Sequence, residues 1–155
     1  MAGLHTIERA QLVPLAAEEA FAFFADASNL EAITPPWLRF RILTPQPIAM
    51  REGALIDYRL SLHRVPCRWH TRIDAWEPGV RFVDRQLSGP FSVWEHTHSF
   101  AGVHGGTLIR DRVVYRMPLG PLGEVARRAL IGSDLERIFD YRREAIDRLL
   151  VARAA

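Results

Sequence analysis

Apolar and polar residues alternate with a period of two through most of the middle of the chain, in short runs separated by proline and glycine. That pattern predicts strands over Arg39 to Leu43, Ala54 to His63, Cys67 to Ala75, Val80 to Leu87, Val93 to Phe100 and Thr107 to Arg116. His5 to Val13 alternates in the same way and is ended by Pro14, so a first strand precedes them. Ile56, Tyr58, Leu60 and Leu62 share one face, and Cys67, Trp69, Thr71, Ile73 and Ala75 extend it on the next strand. On the strand after that, Phe82, Asp84 and Gln86 oppose Arg81, Val83, Arg85 and Leu87. Burying two arginines costs more than burying one carboxylate that can accept hydrogen bonds, so Asp84 and Gln86 are placed inward. Arginines settle the last strand too: Ile109, Asp111, Val113 and Tyr115 face in, against Arg110, Arg112 and Arg116.

Two stretches have a helical period instead. Ala16 to Ala25 repeats Ala17, Ala20, Phe21 and Phe24, with Glu18 and Glu19 in the first turn, where the helix dipole favours acids. A second short turn, capped by Asp26 or Ser28, runs to Ile33 and is stopped by Pro35 and Pro36. At the other end, Ser133 and Glu136 have capping-box spacing, and Leu135, Ile138, Phe139, Arg142, Ile146 and Leu149 form one stripe towards Val151. The order is therefore strand, two short helices, six strands, long helix. Seven antiparallel strands need a cover for their apolar face, and the C-terminal helix is the one element long enough to supply it. Sheet and helix would then enclose a cavity.

The stretch Gly89 to Phe100 carries the candidate chemistry. Strand geometry sets Trp94, His96, His98 and Phe100 on one face, two imidazoles between two aromatic rings. Asp84, Gln86 and Asp111 join them from the neighbouring strands. A carboxylate beside an imidazole raises its pKa and fixes its tautomer, so His96, His98 and Asp111 are the candidates for acid/base work. The plainer reading is a buried polar network that fixes sheet register. His-x-His also suits a metal, with Asp84 or Asp111 as carboxylate ligand, but local spacing supplies no third histidine, and no metal is expected. Tyr58, Trp69, Trp94, Phe100, Tyr115 and Phe139 are the aromatic candidates for a ligand wall, and Arg142 is the cation within an otherwise apolar stripe.

Composition narrows this further. The 155 residues suit one domain spanning 1–155, large enough for a core without staples. A single cysteine, Cys67, excludes an intramolecular disulfide and fits a reducing cytoplasm; no run of about 18 apolar residues suggests a membrane span. All 20 basic residues are arginine, scattered through a chain of net charge +2, so a nucleic-acid partner is not expected. No phosphate-cradling glycine loop or nucleophile elbow occurs, and no cofactor is expected.

The order of elements, together with Asn29 to Pro36, Phe82 to Gln86 before Gly89-Pro90-Phe91, Trp94 to Phe100, Gly105-Gly106-Thr107, Asp111 to Tyr115 and Ile138 to Arg142, resembles the START-like, helix-grip superfamily called SRPBCC. That superfamily includes polyketide cyclase/dehydrase-like proteins and lipid-transfer domains. The resemblance implies an α+β helix-grip fold, a seven-stranded curved antiparallel sheet wrapped around the C-terminal helix, with a hydrophobic cavity between them. It implies no metal or cofactor. The expected partner is a hydrophobic small molecule or lipid with a polar group. The alternatives are a cyclase or dehydratase using His96 or His98 as acid/base, and an accessory module that binds another protein. Oligomeric state is left open, although an edge strand near Arg39 to Leu43 could pair between subunits.

Overall fold

A computed structural model describes residues 3–154, so Met1, Ala2 and Ala155 of the expected 1–155 unit lie outside the described residues. Strand β1 (His5–Val13) leads into two short helices, α1 (Ala17–Ala25) and α2 (Asn29–Ile33), and a 3₁₀ turn over Pro36–Leu38. Six strands follow: β2 (Arg41–Ile42), β3 (Leu55–Leu62), β4 (Val65–Glu77), β5 (Arg81–Ser88), β6 (Val93–Val103) and β7 (Gly106–Arg116). Helix α3 (Gly120–Ala126), a π turn (Arg127–Ile131) and the long helix α4 (Gly132–Ala154) complete the chain. All seven strands form one antiparallel sheet in the order β1-β7-β6-β5-β4-β3-β2. The strand meander runs unbroken from β2 to β7, and β1 closes its far side.

Several details depart from the sequence reading. Strand β2 is only two residues long, because Arg39 takes a left-handed backbone (φ 50°) as it ends the 3₁₀ turn. On β4 the register shifts between Ile73 and Ala75, which leaves Asp74 as an extra residue. Beyond that bulge the faces exchange: Trp76 stands opposite Phe82 and packs inside against Phe21, while Ala75, expected inside, pairs with Val83 on the other face. Asp74 itself turns outward to Arg72 and Arg85. Finally, Ser133 starts no capping box. The chain is already helical from Gly120, and the Ser133 hydroxyl donates back to the Leu130 carbonyl at 2.9 Å.

Helix α4 lays Leu135, Phe139, Arg142, Ala145, Ile146 and Leu150 on the inner face of the sheet. Leu150, not the expected Leu149, ends the stripe; Leu149 is half-buried. Two apolar clusters form along it. Near the C-terminal end, Ala145, Ile146 and Leu150 pack with Phe21, Phe24, Phe82 and Phe100; near the start, Leu135 and Phe139 pack with Trp69, Trp94 and Tyr115. Arg142 sits between the two, where a charge must find partners or destabilise the fold.

Candidate functional site

Those partners come from three adjacent strands, β5, β6 and β7. Register sets Asp84 of β5 opposite His96 of β6, and His98 of β6 opposite Asp111 of β7. The hydrogen bonds run diagonally instead: His98 Nε2 meets Asp84 Oδ2 at 2.7 Å, and His96 Nε2 meets Asp111 Oδ1 at 2.8 Å. Long side chains reach such diagonal neighbours across an antiparallel ladder. Arg142 closes the set from α4, donating Nη2 to Asp111 Oδ1 at 3.1 Å and Nε to Oδ2 at 3.3 Å. Its guanidinium also lies 5.2 Å from the Phe24 ring centre, and its ion pair is with Asp111.

The two imidazoles stack on each other with ring centres 3.7 Å apart, and His98 stacks in turn on Phe82 at 4.1 Å. Two charged rings at that separation would repel strongly in a dry site. Burial and the neighbouring His98 accordingly hold His96 below its ordinary pKa, despite Asp111. For His98, burial works downward, but hydrogen bonds to Asp111 and Asp84 outweigh it and the pKa rises. Burial works upward on both carboxylates. It is outweighed for Asp84 by the His98 hydrogen bond and the charges of His96, His98 and Arg142, and for Asp111 by Arg142 and both histidines. Asp84 ends below, and Asp111 well below, the usual carboxylate range.

These directions follow from a charge count. Two carboxylates against one guanidinium leave one negative charge, and one proton held on the imidazole pair neutralises it. The Nδ1 edge of His98 has Arg142 Nη2 at 3.3 Å and Asp111 Oδ1 at 3.4 Å, a donor and an acceptor, so it is solvated in either protonation state. By contrast, His96 Nδ1 makes no hydrogen bond among the described residues; its nearest carboxylate oxygen, on Asp84, is 3.9 Å away. With Nε2–H given to Asp111, Nδ1 is a lone-pair acceptor on the cavity wall. Asp84, His96 and His98 also bring possible metal-ligand atoms within 4.8 Å of one another. Their short contacts all have N–H···O geometry, with the Arg142 cation behind them, which suits a closed hydrogen-bonded set better than a divalent ion.

Beside this cluster lies a cavity of about 170 Å³ between the sheet and α4. Tyr58, Trp69, Asp84, Trp94, His96, His98, Phe139 and Arg142 line it as the sequence places them. Four expected residues do not. Phe100 is core under Phe21 and Phe24, and Tyr115 packs against Trp94 and Phe91. Asp111 lies behind the histidines, in a small recess with Arg9 and Gln11. Gln86 folds back on the β5–β6 connection, donating its amide to the Phe91 carbonyl at 2.6 Å and accepting the Phe91 N–H at 3.2 Å. That loop leaves the sheet ladder and its peptide needs partners, so the glutamine serves it and not the cavity. Sequence reasoning overlooked Phe91, Phe24 and Thr71 as lining residues. Thr71 lay on the predicted inner face and hydrogen-bonds the Tyr58 hydroxyl at 3.1 Å; Phe24 lay on the predicted helical stripe; Phe91 had no periodic signal, being in a loop. Burial, with the Asp84 charge, pushes the Tyr58 phenol far upward, so it stays protonated.

A seven-stranded antiparallel sheet and a long C-terminal helix closing on an apolar cavity define the helix-grip class of ligand-cavity proteins. The chain belongs to the polyketide cyclase / dehydrase and lipid transport family, whose sequence pattern matches residues 13–140. Solved structures agree on the fold. The chain is similar to a protein of Chromobacterium violaceum (14% identity, 95% of this chain and 98% of that one, TM-score 0.72). It is also similar to a START superfamily protein from Mycobacterium smegmatis (16% identity, 94% and 99%, TM-score 0.66). The third is the Zhui aromatase/cyclase of a Streptomyces species (17% identity, 97% and 98%, TM-score 0.67). No curated protein sequence matches the chain. Among the described residues, no helix is long and apolar enough to cross a membrane.

Proposed function

We propose that this chain binds a hydrophobic small molecule or lipid with a polar group, as one ligand-binding unit. One observation carries the reading: the cavity is mostly apolar, and apart from Thr34 its polar lining is gathered in one wall of Tyr58, Thr71, Asp84, His96, His98 and Arg142. Among the described residues, His96 Nδ1 and Asp84 Oδ1 are acceptors of that wall without a hydrogen bond, and the nearby Trp69 Nε1–H is a buried donor without a partner. An apolar body against Trp94 and Phe139 with a hydroxyl or enol donating to His96 Nδ1 matches both kinds of lining. Native mass spectrometry of freshly purified protein, followed by thermal-shift screening of apolar alcohols and phenols, tests this. A co-purifying apolar molecule, or a raised Tm, is expected. Failure of every apolar compound to bind would remove the reading and leave the accessory, protein-binding role.

The second reading is a cyclase or dehydratase, favoured by the same nitrogen. His96 is held neutral by burial and by His98, which leaves Nδ1 free to accept a proton from an acidic C–H of a substrate in the cavity. Asp111 would then be a positioning residue, fixing the His96 tautomer through Nε2. Turnover of a poly-carbonyl substrate that vanishes in His96→Gln while binding persists would establish it.

A further inference from the structure

A second, larger pocket of about 410 Å³ adjoins the cavity, and the two share Leu38, Leu62 and Ile138. Those three aliphatic side chains are the partition between them. The outer pocket is strongly basic. Arg39, Arg64 and Arg137 line it, and none forms an ion pair among the described residues. The one acid present, Asp134, is in close contact with His63. Arg137 is held in place over the Trp37 ring, its guanidinium carbon 5.1 Å from the ring centre.

Backbone geometry points to the same place. Among the described residues, four non-glycine residues have positive φ, and three of them line this pocket: Arg39 (50°), His63 (48°) and Arg64 (66°). His63 and Arg64 are the whole two-residue hairpin loop between β3 and β4. Asparagine and glycine fit such a turn with less strain than side chains with a full Cβ. The chain keeps a histidine and an arginine at that position nonetheless.

We infer that the ligand is an amphipathic oxyanion: its carboxylate or phosphate is held in the outer pocket by Arg39, Arg64 and Arg137, and its apolar body, carrying the hydroxyl or enol that meets His96, passes Leu38, Leu62 and Ile138 into the inner cavity. Guanidinium groups suit both headgroups, since their paired N–H donors match two oxygens at once. This rests on the ligand-cavity reading above and names the class of ligand. Calorimetric titration with octanol, octanoate and octyl phosphate separates the two claims. Wild-type protein should bind both anions at least about tenfold more tightly than octanol at low salt, and 0.5 M salt should shrink the preference. In the triple variant Arg39→Gln, Arg64→Gln, Arg137→Gln, whose fold is checked by its melting curve, the preference should fall below about threefold with octanol binding unchanged. Tighter binding of octyl phosphate than of octanoate identifies a phosphate headgroup, and the reverse identifies a carboxylate. Equal affinity of the wild type for all three, or a preference the triple variant keeps, overturns the inference while the cavity reading stands. No binding of any of the three, octanol included, overturns both.

Discussion

At the scale of single residues, the molecule stakes most on the Asp84, His96, His98, Asp111 and Arg142 cluster. All five contribute charge or polar atoms to a site that water barely reaches, and each is paid for by a neighbour. Removing one member of a buried ion pair leaves the other uncompensated, so Arg142→Ala should destabilise the fold by about 3–5 kcal/mol in denaturant unfolding. Arg112→Ala, on an exposed pair with Glu8, should change stability by less than about 1 kcal/mol. The imidazoles should titrate apart. Ring-nitrogen NMR should find His98 still protonated above its ordinary pKa of 6.5 and His96 still neutral below it. The sign for stability follows. His98 binds its proton more tightly when folded, so its contribution is full below the unfolded pKa and is lost as pH rises through the folded value. His96 and the two aspartates have lowered values, so theirs are lost as pH falls. His98→Gln should therefore cost more stability at pH 6 than at pH 9; a cost that does not change with pH would contradict the one-proton account.

Among the elements, tight turns and connections decide where the site residues point. Gly106 opens β7 at φ 151°, and a Cβ there would lie 2.0 Å from the Val13 carbonyl oxygen. Gly106→Ala should cost more than about 1 kcal/mol, read as a lowered midpoint in urea, because neither the strand β1 backbone nor the turn can give way. Gly102→Ala, in open space on β6, should be close to neutral. The strands and most faces were legible in the two-residue alternation, and so was the inward turn of Asp84, settled by the cost of burying Arg81 and Arg85; the pairing of β1 with β7 was not. Two further features were not. An extra residue at Asp74 exchanges the faces of Ala75 and Trp76, and no residue type marks it. Gln86 has inward parity, but the loop that competes for its amide is aperiodic. The pairing of the cluster was legible only as proximity: sequence brings the two histidines and two aspartates to one face, while the diagonal choice of partners depends on how side chains reach across the ladder.

For the whole molecule, the sheet and α4 act as two jaws with an apolar cavity between them and Arg142 as the charge that locks them together. The family and the fold set the expectation of a hydrophobic ligand, and the cavity wall narrows it to one with a hydrogen-bond donor. The most direct test is a matched pair, 1-naphthol and naphthalene, titrated against wild type and His96→Phe. A single hydrogen bond of about 0.5–1.5 kcal/mol predicts that wild type prefers the naphthol by about three- to tenfold, and that His96→Phe shows no preference. Equal binding of the two by wild type, or a preference that survives the loss of His96, would contradict the assignment of the cavity and its polar wall.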